Sequence, residues 1–272
     1  MSSILRQTFL AALATTSSIM FGAETGLKLT YEQIEKFLQD AKIVSTHRLS
    51  AGATNSQRVR LRDGALEHDA HLQCIDVSKH MFQGVQGTEM NFRDTWKFNV
   101  AAYRLGRILE LNMIPVSIER TVNGAPCAVT WWLDNTMMEA DRITRKLQAP
   151  DSDSWNREMH IVRVFDQLIY NTDRNLQNLL IDPEWRIWMI DHTRAFRLYL
   201  TVKETQDLVE CDRRLLAKLQ ALDTNSLQPL KPYLNDLEIK GLVARRDVIV
   251  KLFNAKVKLK GEAAVLYDRP SR

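Results

Sequence analysis

The sequence has little of several features that mark common protein classes. Its 272 residues include only three cysteines, Cys74, Cys127 and Cys211. Their wide spacing predicts neither a disulfide framework nor a zinc site, so we expect buried structural thiols. No apolar run is long enough to span a bilayer. The net charge of +4 suits an anionic ligand such as a nucleotide but is too small and too dispersed for a nucleic-acid surface.

Other absences narrow the choice of chemistry. There is no Walker lysine loop, no Ser/His/Asp elbow, no internal repeat and no low-complexity tract. Residues 68–80 contain three His and two Asp, but their spacing matches no tetrahedral zinc pattern and alternating exposure along a strand explains them. The composition, 45% hydrophobic and 26% charged, is that of a globular protein with one large or two small lobes.

The N-terminal segment leaves two compartments open. Arg6 precedes an apolar run over residues 9–14, as in a weak signal peptide, but Thr15 to Ser18 interrupts that run. We therefore expect residues 1–27 to be a disordered segment of a cytoplasmic protein, with export as the alternative.

The most informative stretch is residues 165–197, FDQLIYNTDRNLQNLLIDPEWRIWMIDHTRAFR. Asp173 and Asn178 are separated by four residues, and Asp191 ends an apolar run thirteen positions after Asn178. A kinase-type phosphotransferase needs a carboxylate that receives the hydroxyl proton, an amide oxygen on a metal, and a second carboxylate on the metal. The spacing predicts a catalytic loop over 171–178, a short hairpin, and a metal-binding Asp191.

The neighbouring pattern supports this interpretation. Residues 155–170 have helical periodicity, and Asn171 to Asp173 are residues that favour a loop. Residues 179–181 and 187–190 then alternate as two strands around the turn at Asp182 to Glu184. Asn and Asp are also ordinary turn residues, so the spacing of Asp173 and Asn178 alone would be weak evidence.

The first half of the chain predicts a small lobe rich in strands. A capping box at Thr30 opens a helix that runs to about residue 41. Residues 43–76 read as strand, small loop, strand, turn and strand. The loop holds Gly52 and Thr54 and could cover phosphates through its backbone N–H groups, although an ordinary hairpin turn explains it equally well. We further predict a helix over 92–111 and a hairpin over 116–133 turning at Asn123 and Gly124.

This order resembles the atypical bacterial kinases related to HipA-type serine kinases and to phosphatidylinositol 3/4-kinases. The resemblance rests on WKFNVAAYRLGRILELNMIPVSIERTVNG, TWWLDN and VFDQLIYNTDRNLQNLLIDPEWRIWMIDHTRAFR, within residues 43–255. It implies an α+β, two-lobed protein-kinase-like fold with a small β-rich N-lobe carrying one helix and a larger helical C-lobe. The lobes would span 28–134 and 135–262, followed by a tail at 263–272.

The resemblance also implies roles for single residues. Asp173 matches the catalytic base, and Arg174 matches the Arg that positions the catalytic loop. Asn178 and Asp191 match the ligands of Mg or Mn. The hinge that contacts the adenine of ATP falls at Trp131 to Asp134, which includes Trp132 and Leu133, and His192 stands at the Phe of the DFG motif.

One departure from the kinase pattern affects function. The strand Lys that holds the phosphates, and its Glu partner on the following helix, fall at Gln73 and Asn99. A neutral amide pair avoids the cost of an unpaired buried charge. Lys79, His80 and Lys97 are candidate replacement cations.

Three functions remain open on these grounds. The first is an ATP- and Mg- or Mn-dependent phosphotransferase acting on a hydroxyl of a protein, a lipid headgroup or a small molecule. The second is a pseudokinase that serves as a nucleotide-binding or interaction module. The third is a helical binding protein without nucleotide. Retention of Asp173, Asn178 and Asp191 favours metal binding in both of the first two, and of these we expect the phosphotransferase.

Overall fold

The N-terminal half of the chain is built around one antiparallel sheet. In this computed structural model, residues 29–49, 56–84 and 87–269 are described. Five strands pair in the order β1-β2-β3-β7-β6. They are β1 Lys42–Arg48, β2 Gln57–Asp63, β3 Leu66–Gln73, β6 Ser117–Val122 and β7 Ala125–Trp131. The turns follow the sequence signals, since Gly64, Asn123 and Gly124 all have positive φ angles.

Two helices cover opposite faces of this sheet. Helix α1, Tyr31–Asp40, begins with the predicted capping box at Thr30 and packs Phe37 against Trp131 with 5.8 Å between ring centroids. Helix α2, Lys97–Ile108, packs its Val100 with Ala128 of β7. Trp131 and Ala128 lie an odd number of residues apart, so they face opposite sides. The lobe thus has two helices where the resemblance implied one.

A long hairpin, which the sequence pattern did not predict, separates β3 from α2. Strand β4, Asp76–Gly84, pairs with β5, Gly87–Thr95. The helix expected over 92–111 is therefore wrong at its start, because Phe92 to Thr95 belong to β5. Phe92 and Asp94 are buried and Arg93 between them is half-buried, which is the alternation of a strand rather than a helix. The last of the strands predicted within residues 43–76 is likewise divided, because β3 ends at Gln73 and β4 begins at Asp76.

The C-terminal half is mainly helical, as expected. Its helices are α3 Glu139–Thr144, α4 Ser152–Ile169, α5 Arg213–Ala221 and α6 Asp236–Lys260. A three-stranded sheet in the order β10-β9-β8 comprises β8 Met137–Met138, β9 Leu179–Ile181 and β10 Ile187–Met189. Strands β11, Cys211–Asp212, and β12, Leu266–Tyr267, pair in parallel. None of the described helices combines the length and apolar character needed to cross a membrane.

The cysteines correct one expectation. Cys74 and Cys127 form a disulfide bond with Cα atoms 4.2 Å apart, whereas buried free thiols were predicted. Pairing of β3 with β7 places Gln73 opposite Ala128, so the two cysteines lie beside this register pair. Sequence spacing could not show this contact, because 53 positions separate the cysteines. Cys211 is free and buried, as predicted.

Candidate active site

The predicted catalytic loop begins where α4 ends. Tyr170 caps that helix in the left-handed conformation, with φ of 47°. Asn171 then fixes the next turn, because its Oδ1 accepts from the backbone N–H of Asp173 at 3.1 Å. Its Nδ2 donates to Asp166 on α4 at 3.0 Å. The loop thus presents Asp173 from a short turn anchored to the preceding helix.

Arg174 connects this loop to the hairpin and to α4. Its Nε and Nη2 donate to the two oxygens of Asp166 at 2.8 and 3.0 Å. Its Nη1 donates to the carbonyls of Asn178 and Ile190 at 2.6 and 2.9 Å. The guanidinium therefore holds together the main-chain segments that carry Asn178 and Asp191. This arrangement matches the positioning role that the resemblance implied for Arg174.

Asn178 has an amide group suited to oxygen ligation of a cation. The side chain is buried, and Nδ2 donates to the carbonyl of Asp173 at 2.9 Å. This bond engages the amide nitrogen within the protein, so Oδ1 is the atom of Asn178 that could contact a cation. The carbonyl of Asn178 also accepts from the backbone N–H of Ile190 at 3.1 Å, so Asn178 lies beside the residue that precedes Asp191.

Asp191 follows β10 in an unusual backbone conformation. Its φ is 52°, in the left-handed region that few non-glycine residues adopt. Such conformations cost free energy and concentrate at functional sites. One carboxylate oxygen accepts from Thr193 Oγ1 at 3.1 Å. The other oxygen makes no hydrogen bond among the described residues.

The two predicted carboxylates, Asp173 and Asp191, influence each other electrostatically. Burial raises the pKa of Asp173, the cation Arg194 opposes that rise, and the carboxylate of Asp191 adds to it. Asp173 and Asp191 are thus close enough to influence each other's charge. Hard divalent cations prefer such oxygen ligands and often take only one or two carboxylates plus phosphate oxygens. No three His, Cys, Asp or Glu side chains converge as a metal site in the described ranges, which include residues 68–80.

The amides at the expected Lys and Glu positions are both built into the small lobe. Gln73 is 1% exposed, and its Nε2 donates to Ser56 Oγ at 3.1 Å. Asn99 Oδ1 accepts from the backbone N–H of His192 at 2.7 Å. Helix α2 is therefore tied directly to the residue after Asp191. Gln73 is thus buried in the small lobe, and its equivalence to the strand Lys of the kinase pattern stays a prediction.

The predicted hinge lies at the end of β7. The backbone N–H of Trp132 donates to the carbonyl of Asp69 at 3.2 Å, and the Arg58 guanidinium lies 4.3 Å from the Trp132 ring centroid. Leu133 is buried. Gly52 and Thr54, the proposed phosphate loop, fall outside the described residues. The cofactor-binding roles of Trp132 and Leu133 stay predictions.

Of the replacement cations considered from sequence, two are engaged elsewhere. Lys97 forms an ion pair with Asp76 at 3.0 Å, and Lys79 lies over the Phe82 ring. A basic side chain on β3, His71, interacts electrostatically with Asp191 of the candidate site. His71 lies close enough to Asp191 that this carboxylate favours its protonated form, although burial lowers the His71 pKa.

Sequence reasoning missed three residues that complete the site. Asp166 anchors the catalytic loop, and its only sequence signal was an acid on the apolar side of α4. Arg194 lies three positions after Asp191, with Nη1 3.8 Å from Asp173 Oδ2. Asp94, from β5, accepts from Arg194 Nε at 2.7 Å. A contact between residues 100 positions apart has no local signal.

Comparison with known proteins supports the fold. No protein-family model and no curated protein matches the sequence. The structure is similar to that of hydra Fam20 with sugar, at 14% identity and a TM-score of 0.67, covering 88% of this chain and 92% of the other. It is similar to the Golgi casein kinase with Mn and ADP bound, at 12% identity and a TM-score of 0.63, covering 89% and 80%.

A third similar structure is the Helicobacter pylori proinflammatory kinase CtkA, at 11% identity and a TM-score of 0.50, covering 82% and 98%. The chain has a kinase-like fold, which confirms the predicted fold class. These likenesses do not single out the HipA-type or the phosphatidylinositol 3/4-kinase branch, and they do not indicate a bacterial source.

Proposed function

We propose that this protein is a metal-dependent phosphotransferase that moves the γ-phosphoryl group of ATP to a hydroxyl acceptor. The observation that carries the proposal is the network around Arg174, which joins Asp173, Asn178 and the segment leading to Asp191. A similar fold, the Golgi casein kinase, has been solved with Mn and ADP. The oxygen donors of Asn178 and Asp191 suit Mg or Mn.

In this proposal Asp173 acts on the acceptor. Its carboxylate receives the hydroxyl proton as the acceptor oxygen forms a bond to the γ-phosphorus and the bond to the bridging oxygen of ADP breaks. The products are a phosphorylated acceptor, ADP and one proton held on Asp173. A bound metal would neutralise the phosphate charge between Asn178 and Asp191. Arg174 takes no part in the chemistry and keeps the loop in place.

The pseudokinase alternative rests on Gln73 and Asn99. Neither amide supplies the charge that a strand Lys brings to the phosphates. Both side chains are nevertheless hydrogen-bonded within the fold, as expected of a remodelled rather than a decayed site. The nature of the acceptor stays open among protein, lipid headgroup and small molecule.

The Cys74–Cys127 disulfide supports a location outside the cytosol for this activity. Disulfide bonds persist in oxidising environments and are rare in the cytosol. We therefore propose that the protein works after export, which was the alternative to a cytoplasmic location. One similar structure is described as a Golgi enzyme. Thiol alkylation of the protein in its native cells, followed by mass spectrometry, should find Cys74 and Cys127 protected; free thiols there would contradict export.

Calorimetry tests the function directly. Wild-type protein should bind ATP in the presence of Mg or Mn and bind it far more weakly with a chelator. Asp191→Ala should lose the metal-dependent part, because it removes a ligand oxygen. A matched control is Asp207→Ala, which removes an exposed carboxylate from a short turn of the large lobe. Absence of binding at millimolar ATP with either metal would reject both the phosphotransferase and the nucleotide-binding pseudokinase.

A further inference from the structure

Arg194 is the cation that reaches the proposed reaction centre. It lies in the segment after Asp191, and its Nη1 is 3.8 Å from Asp173 Oδ2. That distance is beyond hydrogen-bond range, so Asp173 does not occupy the group. Among the described residues no acceptor forms a hydrogen bond with either Nη of Arg194. Two N–H₂ groups therefore remain available beside the carboxylate that would receive the acceptor proton.

The β4–β5 hairpin holds the Arg194 guanidinium in place through Asp94. Asp94 is 3% exposed and accepts from Nε at 2.7 Å, which fixes one edge of the fork. The side chain of Arg194 keeps 31% of its surface exposed, so its outer nitrogens stay accessible. A guanidinium anchored through Nε presents its two outer nitrogens together, which suits two oxygens of one phosphoryl group.

The other basic side chains described near the site do not present available N–H groups in this way. Lys97 is paired with Asp76, and Arg174 spends its donors on Asp166 and on main-chain carbonyls. His71 lies by Asp191, but burial favours its neutral form. Gln73 carries no charge.

We propose that Arg194 contacts the transferring phosphoryl group and supplies the positive charge that this chain lacks at Gln73. The inference rests on the proposed phosphotransfer. Arg194 stays protonated and forms no covalent bond. Its N–H groups donate to phosphoryl oxygens as the charge redistributes, and Asp94 keeps the guanidinium from swinging away. Arginines placed in this way in other phosphotransferases contribute about 10³–10⁵-fold to turnover.

The chain contains a closely matched control. Arg186 also donates from Nε to an aspartate, Asp182, at 2.7 Å, and its side chain is 29% exposed. It lies in the turn of the β9–β10 hairpin, and no contact joins it to Asp173 among the described residues. Arg186 Nη2 also donates to the exposed Glu184. Arg186→Gln and Arg194→Gln therefore each remove an ion pair with a buried aspartate, and only Arg194→Gln removes charge from the proposed centre.

The experiment compares wild type, Arg194→Gln, Arg194→Lys and Arg186→Gln. Turnover is measured as ATP hydrolysis or autophosphorylation, and affinities for ATP and ADP are measured by calorimetry with Mn. Arg194→Gln should lower kcat by roughly 10³–10⁵-fold and reduce the preference for ATP over ADP, with ADP affinity nearly unchanged. Arg194→Lys should restore part of the loss. Arg186→Gln should keep kcat within about twofold and lower the melting temperature as much as Arg194→Gln does.

The outcomes separate the two proposals. If wild type binds no nucleotide, the proposed function fails. If wild type binds nucleotide and Arg194→Gln matches Arg186→Gln in kcat and in ATP-to-ADP preference, Arg194 has only a structural role and this inference is overturned. If wild type binds but does not turn over, the ATP-to-ADP preference alone decides, and its loss in Arg194→Gln supports the inference.

Discussion

The hairpin that carries the proposed catalytic residues, in the large lobe, and strand β3 of the small lobe differ in how their polar groups are arranged. In the hairpin, polar side chains keep the types and spacing of a kinase site, and Arg174 binds them within a window of about thirty residues. On β3, the expected cation is replaced by Gln73, and its partner helix uses Asn99 to hold His192. The half proposed to bind metal therefore retains the kinase pattern, while the strand expected to hold the phosphates departs from it.

The largest effect should come from the half that keeps the pattern. Asp173→Asn removes the proton acceptor and retains the size of the side chain. We expect kcat to fall by roughly 10²–10⁴-fold while calorimetry gives an unchanged affinity for ATP with Mn, because a base acts at the chemical step. An active enzyme that is indifferent to this change would show that the base lies elsewhere.

The same comparison predicts a large stability effect at Arg174. Arg174→Ala leaves the buried Asp166 without its positively charged partner, so the free energy of unfolding in urea should fall by about 3–5 kcal/mol. Arg213→Ala removes exposed ion pairs with Glu262 and Asp268 and should leave the free energy of unfolding nearly unchanged. Equal losses in the two variants would mean that Arg174 does not hold the hairpin together.

Restoring the usual pair in the small lobe sharpens the contrast. Gln73→Lys alone buries a charge without a countercharge and should destabilise the protein by about 1–3 kcal/mol. Gln73→Lys with Asn99→Glu should recover much of that loss, because a carboxylate at 99 can also accept from the N–H of His192. Urea unfolding and turnover are measured on both. A gain of activity in the double variant of an inactive wild type would identify a repairable pseudokinase.

The smallest effect concerns acid stability of the metal-free protein. Burial, together with the adjacent Arg174, holds the pKa of His192 well below its ordinary value of 6.5. The unfolded chain therefore takes up this proton first as the pH falls, and stability present above about pH 6.5 is lost below it, by at most about 1.4 kcal/mol per pH unit. His192→Asn should flatten the slope measured by urea unfolding between pH 7 and 5. An unchanged slope would assign the loss to other groups.

Local patterns predicted the β9–β10 hairpin and the family resemblance implied the fold class, while neither could indicate contacts between distant residues. The capping box at Thr30, the Asn123–Gly124 turn and the alternation around Asp191 depend on neighbouring residues, and the structure has each element. The hairpin Asp76–Thr95 was missed because its strands are largely exposed and lack a strong apolar alternation. The Arg194–Asp94 pair and the Cys74–Cys127 bond join residues 100 and 53 positions apart. No periodicity could indicate them.

The Cys74–Cys127 bond has a consequence for how β3 presents its residues. Side chains alternate along a strand, so a slip by one position would turn Leu72 instead of Gln73 toward the α2 face. A covalent link one residue beyond Gln73 and one before Ala128 forbids that slip, because either shifted register would pull the two sulfur atoms apart. The disulfide thus fixes the register of β3 against β7. While the disulfide is intact, a side chain substituted at position 73 therefore stays opposite Ala128 and contacts the same part of the small lobe as Gln73.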